Sequence, residues 1–407
     1  MTISLRLELF TTTTFSEFPW QIEIKDWTGR NYSVGQGKSH WYPKPLQIII
    51  HTQRAAKDLL ALNALGFIER YLEQEVDIEG NFYLLTSIKH FAKIKLNVMQ
   101  LIHARLSHYF FQTKSRSKIN VKSHYDIPQQ LLEFYLDKTY MAYSCAMFES
   151  SDLNIEHLPQ YLKAGLGQTD KFDSLEKAQW RKFKDAVDFL EPKSGQTMLD
   201  VGCGYGGQLQ VALENYPNSK IVGWTHSSNQ VSEGRKWLNN FDRQMWELNE
   251  GDYREDNRIY DHICSTGMIS HVGPRGLLPY VRNIRKRIKS GGRYVHHSLM
   301  AHYSSTPLDA QVGIAFNKKY VWPGFHWFTL AEHIKALEEN GFIVLKVLNL
   351  KQQYSKTLTC WHQRLLQNET QMKEKMGEAT FRAWKLYLGG GAGLGSGDVN
   401  RIYCRAN

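Results

Sequence analysis

The spacing of apolar and polar residues divides the 407-residue chain into two stretches of different rhythm. In the first, short alternating runs at Gln21–Ile24 and Asn31–Val34 flank Asp26-Trp27-Thr28-Gly29 and predict a β-hairpin, and PLQIII (45–50) predicts a further strand. Apolar positions at helical spacing then predict a helix over Arg54–Leu65, continued by Gly66–Leu72. Residues 88–111 read as one long apolar and basic helix, better suited to facing a core than to membrane contact. Residues 1–113 thus read as a small α+β domain, with a lipid-associated role in view, and the polar, basic 114–123 as a linker.

From residue 124 the rhythm changes. A helix is predicted from Gln129 to Leu136, residues 151–173 read as an inserted loop, and a helix over Leu175–Leu190 leads into regular alternation. That alternation is strand 197–201, helix 207–215, strand 220–225, helix 228–239, strands 244–248 and 260–264, helix 276–288 and strand 292–298. It predicts an α/β fold with a doubly wound, Rossmann-like sheet. Beyond it, Tyr303–Trp327 reads as an aromatic-rich loop, 329–339 as a helix, and 342–348 with 357–361 as an antiparallel edge. The glycine run GGGAGLGSG (389–397) lacks the G-K-[ST] of a phosphate loop and reads as a turn or a site of close helix packing.

Composition narrows the classes. Fifty Lys and Arg against 40 Asp and Glu leave a net charge of +10, which favours an acidic partner. No helix-turn-helix, RNA-recognition or zinc-finger signature supports nucleic acid. An anionic membrane surface remains, worth ~1 kcal/mol for each nearby Lys or Arg. No apolar run approaches the ~18 residues of a membrane span, and MTISLRLELFTTTTF lacks the basic and apolar regions of an export signal. Five scattered cysteines without a C-x-x-C fit a reducing compartment and give no metal site. The expected location is the cytoplasm, peripherally at the inner face of the membrane.

The chemistry centres on TMLDVGCGYGG (197–207), a buried strand, a glycine turn and a helix start. Gly202 and Gly204 permit a tight bend and close approach of a ligand; the helix start offers unpaired N–H groups. A dehydrogenase places an acid or an Arg after the next strand. Here KIVGWT (220–225) ends without one, and Trp224, Thr225, Ser227 and Gln230 follow. Asp200 beside the glycines and Asp252-Tyr253 after a further strand fit S-adenosylmethionine better.

Several stretches together resemble the cyclopropane-fatty-acyl-phospholipid synthase family. They are HYD (124–126), AYSCAMF (142–148), LDVGCGYGG (199–207), GWTHSSNQ (223–230), GDYRE (251–255), TGMISHVGP (266–274), YVHHSL (294–299), KYVWPG (319–324) and YSKTLTCW (354–361). The resemblance implies a methyltransferase acting on unsaturated phospholipid acyl chains, with a homodimer as one possible assembly. It implies that Tyr143, Ser144, Gly202, Gly204, Thr225, Gln230, Asp252, Tyr253 and Thr266 surround S-adenosylmethionine. It also implies a bicarbonate ion held by Cys145, His297, Tyr354 and the backbone at Leu299. One position departs: Ser270 stands where the family has a glutamate, which puts bicarbonate binding and ring closure in question.

The activated methyl has only to be aligned with its acceptor. An alkene acceptor requires a dry, apolar site, for which Met268, Ile269, Phe316, Tyr320, Trp322 and Phe325 are the expected lining. The place from which a proton then leaves decides between a cyclopropane and a methyl-branched, methylated-unsaturated chain, whereas hydride addition would give a methyl-branched saturated one. For single residues two readings stand side by side. Cys145 is a buried small residue or an anion contact. His297 holds an anion or acts as base, Tyr354 is a site hydroxyl or a core ring, and His271 is structural. Asp126 caps a helix or serves the site. Two further functions remain open on this scaffold, a small-molecule N- or C-methyltransferase and a non-catalytic relative that binds cofactor or lipid.

Overall fold

The computed structural model describes residues 1–37, 44–85, 88, 129–149, 173–301, 307–322, 324–392 and 398–407. The expected helix over 88–111, the linker, the HYD motif and the insertion at 151–173 lie outside these residues, apart from Ile88 and Asp173.

Among the described residues two sheets organise the chain. The first contains β1 (Ile22–Lys25), β2 (Asn31–Val34), β3 (Leu46–Ile50) and β4 (Val76–Glu79) in the order β2-β1-β3-β4. β1 and β2 form the predicted hairpin, its turn closed by Asp26, which accepts the Thr28 N–H at 2.8 Å. Two elements here carry weak sequence signals. These are α1 (Ile3–Thr14), rich in threonine, and β4, four residues of which two are acidic. The helical stretch after β3 is two helices, α2 (Gln53–Leu60) and α3 (Ala64–Leu72). Leu62 turns left-handed at φ 57°, and Asn63 caps α3 by accepting the Gly66 N–H at 3.1 Å, so the periodicity restarts.

The second sheet has seven strands in the order β10-β11-β9-β8-β5-β6-β7. The helix α5 (Leu175–Leu190; α4 is the short Gln129–Leu132) delivers the chain to β5 (Thr197–Val201). α6 (Gly207–Asn215), β6 (Lys220–Thr225), α7 (Ser228–Leu238) and β7 (Trp246–Glu250) follow on one side. β8 (His262–Thr266), α8 (Leu277–Arg287) and β9 (Arg293–Met300) lie on the other. β5 through β9 pair in parallel, which buries β5 on both faces and explains its near-continuous apolar run. β7 and β8 each begin two residues later than the spacing predicts.

The carboxyl-terminal third departs from expectation in two places. Tyr303–Trp327 is not a loop throughout: α9 (Pro307–Phe316) runs into a π-helical turn at Asn317–Val321. After α10 (Leu330–Glu338) and β10 (Phe342–Asn349), residues 357–361 are not a strand but the middle of α11 (Lys351–Gln367). Tyr354, Leu358, Trp361 and Leu365 form its buried stripe at helical spacing. Thr357 and Thr359 return their hydroxyls to the carbonyls of Gln353 (2.7 Å) and Ser355 (2.9 Å), which accommodates β-branched side chains in a helix. The partner of β10 is instead β11 (Asp398–Ala406), reached through α12 (Glu369–Met376) and α13 (Glu378–Gly390). β11 enters antiparallel between β9 and β10.

The first sheet and helices α11 to α13 share one apolar core, in which Trp20, Phe82, Trp361 and Trp384 are buried together. Arg382 clamps the two by donating to the carbonyls of Tyr71 and Val76 (3.0 Å each) and to Asp77 (2.7 Å) and Glu378 (2.7 Å). No described helix is long and apolar enough to cross a membrane.

Among the described residues five histidines are buried: His262, His296, His297, His333 and His362. His296 lies in a chain in which Tyr280 meets Tyr294 at 2.9 Å, Tyr294 meets His296 at 2.8 Å and His296 meets His333 at 2.9 Å. Burial holds all five below the ordinary imidazole value, His262 and His296 at about 4 and His362 at about 3. The unfolded chain therefore binds more protons once the pH falls below ~6.5, and each ring costs about 2 kcal/mol of stability by pH 5. Scanning calorimetry should find a thermal midpoint that drops steeply from pH 7 to pH 5. A flat midpoint would mean that the folded protein takes up these protons.

Candidate active site

The chain passes to one side of β5 and returns on the other, which opens a crevice at the carboxyl ends of β5 and β8. A cavity of about 330 Å³ lies there. The glycine turn forms one wall, with the N–H groups of Gly202 and Cys203 both reaching the Trp224 carbonyl at 3.0 Å. Gly202 has φ 80°, and a Cβ there would stand 2.7 Å from that of Met268. Gly204, at φ 56°, faces open space within 4 Å, the room a ligand needs. The start of α6 has no side-chain cap among the described residues, which leaves its first N–H groups without a side-chain acceptor.

Asp200 lies next to last on β5, and burial pushes its carboxyl up to about 7. At the end of β6, Thr225 donates its hydroxyl to Gln230 Oε1 at 2.6 Å, and Trp224 Nε1 donates to Asp256 at 3.1 Å. Thr266, at the end of β8, has a buried hydroxyl with no partner among the described residues, a group fitted to bond a ligand. Tyr143, Ser144, Asp200, Gly202, Gly204, Thr225, Gln230, Tyr253 and Thr266 all line the cavity. Asp252 does not: its carboxylate accepts the backbone N–H (2.9 Å) and Nε (2.9 Å) of Arg254, while its neighbours Gly251 and Tyr253 face the space.

The irregular segment 140–148 brings Tyr143, Ser144 and Cys145 to the cavity, and side chains satisfy its backbone. Asp137 accepts the N–H groups of Tyr140 (2.6 Å) and Ala142 (2.8 Å), and Gln179 donates to the carbonyls of Ala142 (3.3 Å) and Ser144 (3.1 Å). Thr357 accepts the Ala146 N–H at 3.0 Å. Lys182, fully buried on α5, donates to Ser144 Oγ at 2.8 Å and lies 3.9 Å from the centre of the Phe183 ring. Burial lowers its pKa to about 7. Sequence reasoning singles out none of Asp137, Gln179 and Lys182, since polar residues near a helix read as solvated until packing places them.

Deeper in the cavity lie Cys145, Ser270, His297, Leu299 and Tyr354. The Cys145 thiol points at the carbonyls of Ala146 (3.2 Å) and Leu350 (3.8 Å), and burial pushes it up to about 12, so it stays protonated. The Tyr354 hydroxyl is 3.1 Å from that of Tyr387, a cavity residue on α13 without a sequence signal. Ser270 is held in a short turn, its carbonyl accepting the His326 N–H at 2.8 Å. His297 turns Nδ1 to Arg401 of β11.

Met268, Trp322 and Phe325 line the space as expected; Trp327 joins them, and His271 lines it with its ring 5.7 Å from that of Trp322. Ile269, Phe316 and Tyr320 do not. Ile269 packs in the core beside the sheet, and the Phe316 ring lies tilted against that of Tyr320 with centroids 5.6 Å apart. The Tyr320 hydroxyl is turned away to Glu69 at 3.1 Å. The Tyr143 ring sits between those of Trp322 (4.9 Å) and Trp361 (5.2 Å).

Gly202→Ala forces a side chain into a left-handed conformation, at ~1–2 kcal/mol, and against Met268. Calorimetric titration should find S-adenosylmethionine binding weakened at least about tenfold. Unaltered affinity would place the ligand away from this turn.

Residues 112–401 match the family described as mycolic acid cyclopropane synthetase. The chain is 31% identical over 381 residues to a probable fatty acid methyltransferase of Pseudomonas putida, spanning 91% of this chain and 87% of that protein. It is 27% identical over 358 residues to the cyclopropane-fatty-acyl-phospholipid synthase of Escherichia coli K12, spanning 86% and 84%. The solved structure of the mycolic acid cyclopropane synthase CmaA1 complexed with SAH and CTAB superposes with a TM-score of 0.62 at 25% identity, over 70% of this chain and 97% of that one. With a Rossmann-like sheet, a glycine turn at its switch point and these relatives, the chain belongs to the mycolic acid cyclopropane synthetase family and is an S-adenosylmethionine-dependent methyltransferase.

Proposed function

We propose that the protein transfers a methyl group to the double bond of an unsaturated phospholipid acyl chain, giving a cyclopropane or a methyl-branched chain that stays unsaturated. The observation that carries this reading is one cavity joining the glycine turn to an aromatic space whose inner residues, Cys145, Ser270, His297 and Tyr354, are uncharged. Its relatives, named for fatty acid methylation and cyclopropane synthesis, support it. S-adenosylmethionine supplies a methyl already activated for attack. The residues at the turn hold it, with the Thr266 hydroxyl free to bond it. The aromatic walls align the alkene and keep water from the cation that forms in the acyl chain when its π electrons take the methyl.

A proton then has to leave, and the inner residues are poorly set to accept it. The Cys145 thiol and Tyr354 phenol are protonated, His297 Nδ1 is engaged by Arg401, and Ser270 brings no carboxylate. Bicarbonate, held by Cys145, His297, Tyr354 and the Leu299 backbone, would supply the missing acceptor. Without the glutamate the ion is less firmly oriented, so proton loss elsewhere competes with ring closure. The net charge of +10, the exposed Met1 and the exposed Leu5 and Leu9 of α1 support lipid taken at an anionic membrane surface.

Expression in a host rich in monounsaturated phospholipid, and without acyl methylation of its own, tests the reading. With methyl-labelled methionine, acyl chains should gain one labelled CH₂ unit, and the product's double-bond count separates a cyclopropane from a methylated alkene. Unlabelled acyl chains beside intact cofactor binding would overturn it. Ser270→Glu should raise the cyclopropane share and its bicarbonate dependence about fivefold, the worth of one ~1 kcal/mol hydrogen bond. An unchanged product ratio would remove position 270 from the account.

A further inference from the structure

His297 is the imidazole among the inner cavity residues, and its Nδ1 is already occupied. β11 pairs with β9 so that Arg401 stands directly opposite His297, both side chains on one face of the sheet. Arg401 is 0% exposed. Its Nε and Nη2 approach His297 Nδ1 at 3.3 and 3.2 Å. Its Nη1 donates to the Lys182 carbonyl at 2.9 Å and to the Asp185 carboxylate at 2.5 Å. Asp185 also accepts the Tyr403 hydroxyl at 2.6 Å, so the guanidinium is fixed from both sides.

A guanidinium has five donors and no acceptor, and it does not deprotonate in proteins. Nδ1 of His297 must therefore present a lone pair to Arg401. The ring's single proton then resides on Nε2, the nitrogen left for the cavity. Resting on the function proposed above, we propose that Arg401 is a positioning residue: it locks His297 as the Nε2–H tautomer, so that His297 serves the cavity as a hydrogen-bond donor and not as a base.

The surroundings act in the same sense. Burial first, then the charges of Arg401 and Lys182 and the neighbouring His296, oppose a second proton on this ring. Asp185 balances Arg401 from α5, and Asp200, Cys145 and Tyr354 face the same cavity from β5, the 140–148 segment and α11. Between the two readings left open for His297, the lock favours the anion holder.

Nitrogen NMR of histidine-labelled full-length protein, with His297 assigned by loss of its signal in His297→Gln, tests this without any substrate. The wild-type ring should show an unprotonated Nδ1 and a protonated Nε2, unchanged from pH 5.5 to 8. Arg401→Met should yield a mixture of tautomers and lower kcat about 10- to 100-fold with the KM for S-adenosylmethionine unchanged. Arg401→Lys, which keeps one donor, should restore the Nε2–H form and part of the rate. If the methionine variant does not fold, Asp185→Asn, at a partly exposed position, loosens the same guanidinium and should shift the tautomer in the same direction. A protonated Nδ1 in the wild type, or a tautomer indifferent to Arg401 and Asp185, would overturn the proposal. A locked tautomer in a protein that leaves acyl chains unmethylated would instead overturn the proposed function and leave the lock standing.

Discussion

β11 enters the large sheet between β9 and β10, antiparallel to both, and sets a buried arginine against the histidine of the cavity. Much of the site's order follows from that single insertion. A fully buried guanidinium is tolerated only where its donors are met, and here an imidazole nitrogen, a backbone carbonyl and a carboxylate meet them. The same side chain ties β11 to α5, and α5 in turn straps the 140–148 segment through Gln179 and Lys182. One slip in register would turn Arg401 to the other face and undo these contacts together.

The cavity combines two demands that conflict elsewhere. The glycine turn needs exposed backbone and room for a charged ligand, while the alkene acceptor proposed above needs a dry and apolar space. The protein separates them along one cavity. Polar groups with fixed partners, such as Thr225 with Gln230 and Lys182 with Ser144, stand near the turn, and aromatic rings of the carboxyl-terminal helices close the far side. Charge is kept out of the inner cavity by burial itself, which favours the neutral forms of Cys145, His297 and Tyr354. Ser270, buried and uncharged, extends this tendency.

The first sheet bears on the site as well. Its α3 offers Glu69 to Lys319 (2.6 Å) and to Tyr320, next to the cavity residue Trp322. Tyr83 joins His362 of α11 at 2.9 Å, and Arg382 holds α13, which carries Tyr387, to β4. The aromatic walls are thus set from two sides.

Much of this was written in local pattern. The bounds of α5, β5, α6 and β6 follow from apolar spacing, because parallel strands buried on both faces and an amphipathic helix leave strong periodic signals. The glycine turn and the motif residues at strand ends were equally legible, since they sit where topology opens a crevice. The sequence by itself determined the doubly wound sheet, the place of its ligand turn and the polar residues around it. Only the tertiary structure decided that 357–361 is helix, that β11 fills the sheet, and that Arg401 and Lys182 lie buried beside the cavity. A threonine-rich stretch is helical or extended according to what its apolar face meets. A lysine or arginine reads as solvated until distant partners, more than 200 residues away for Arg401, surround it.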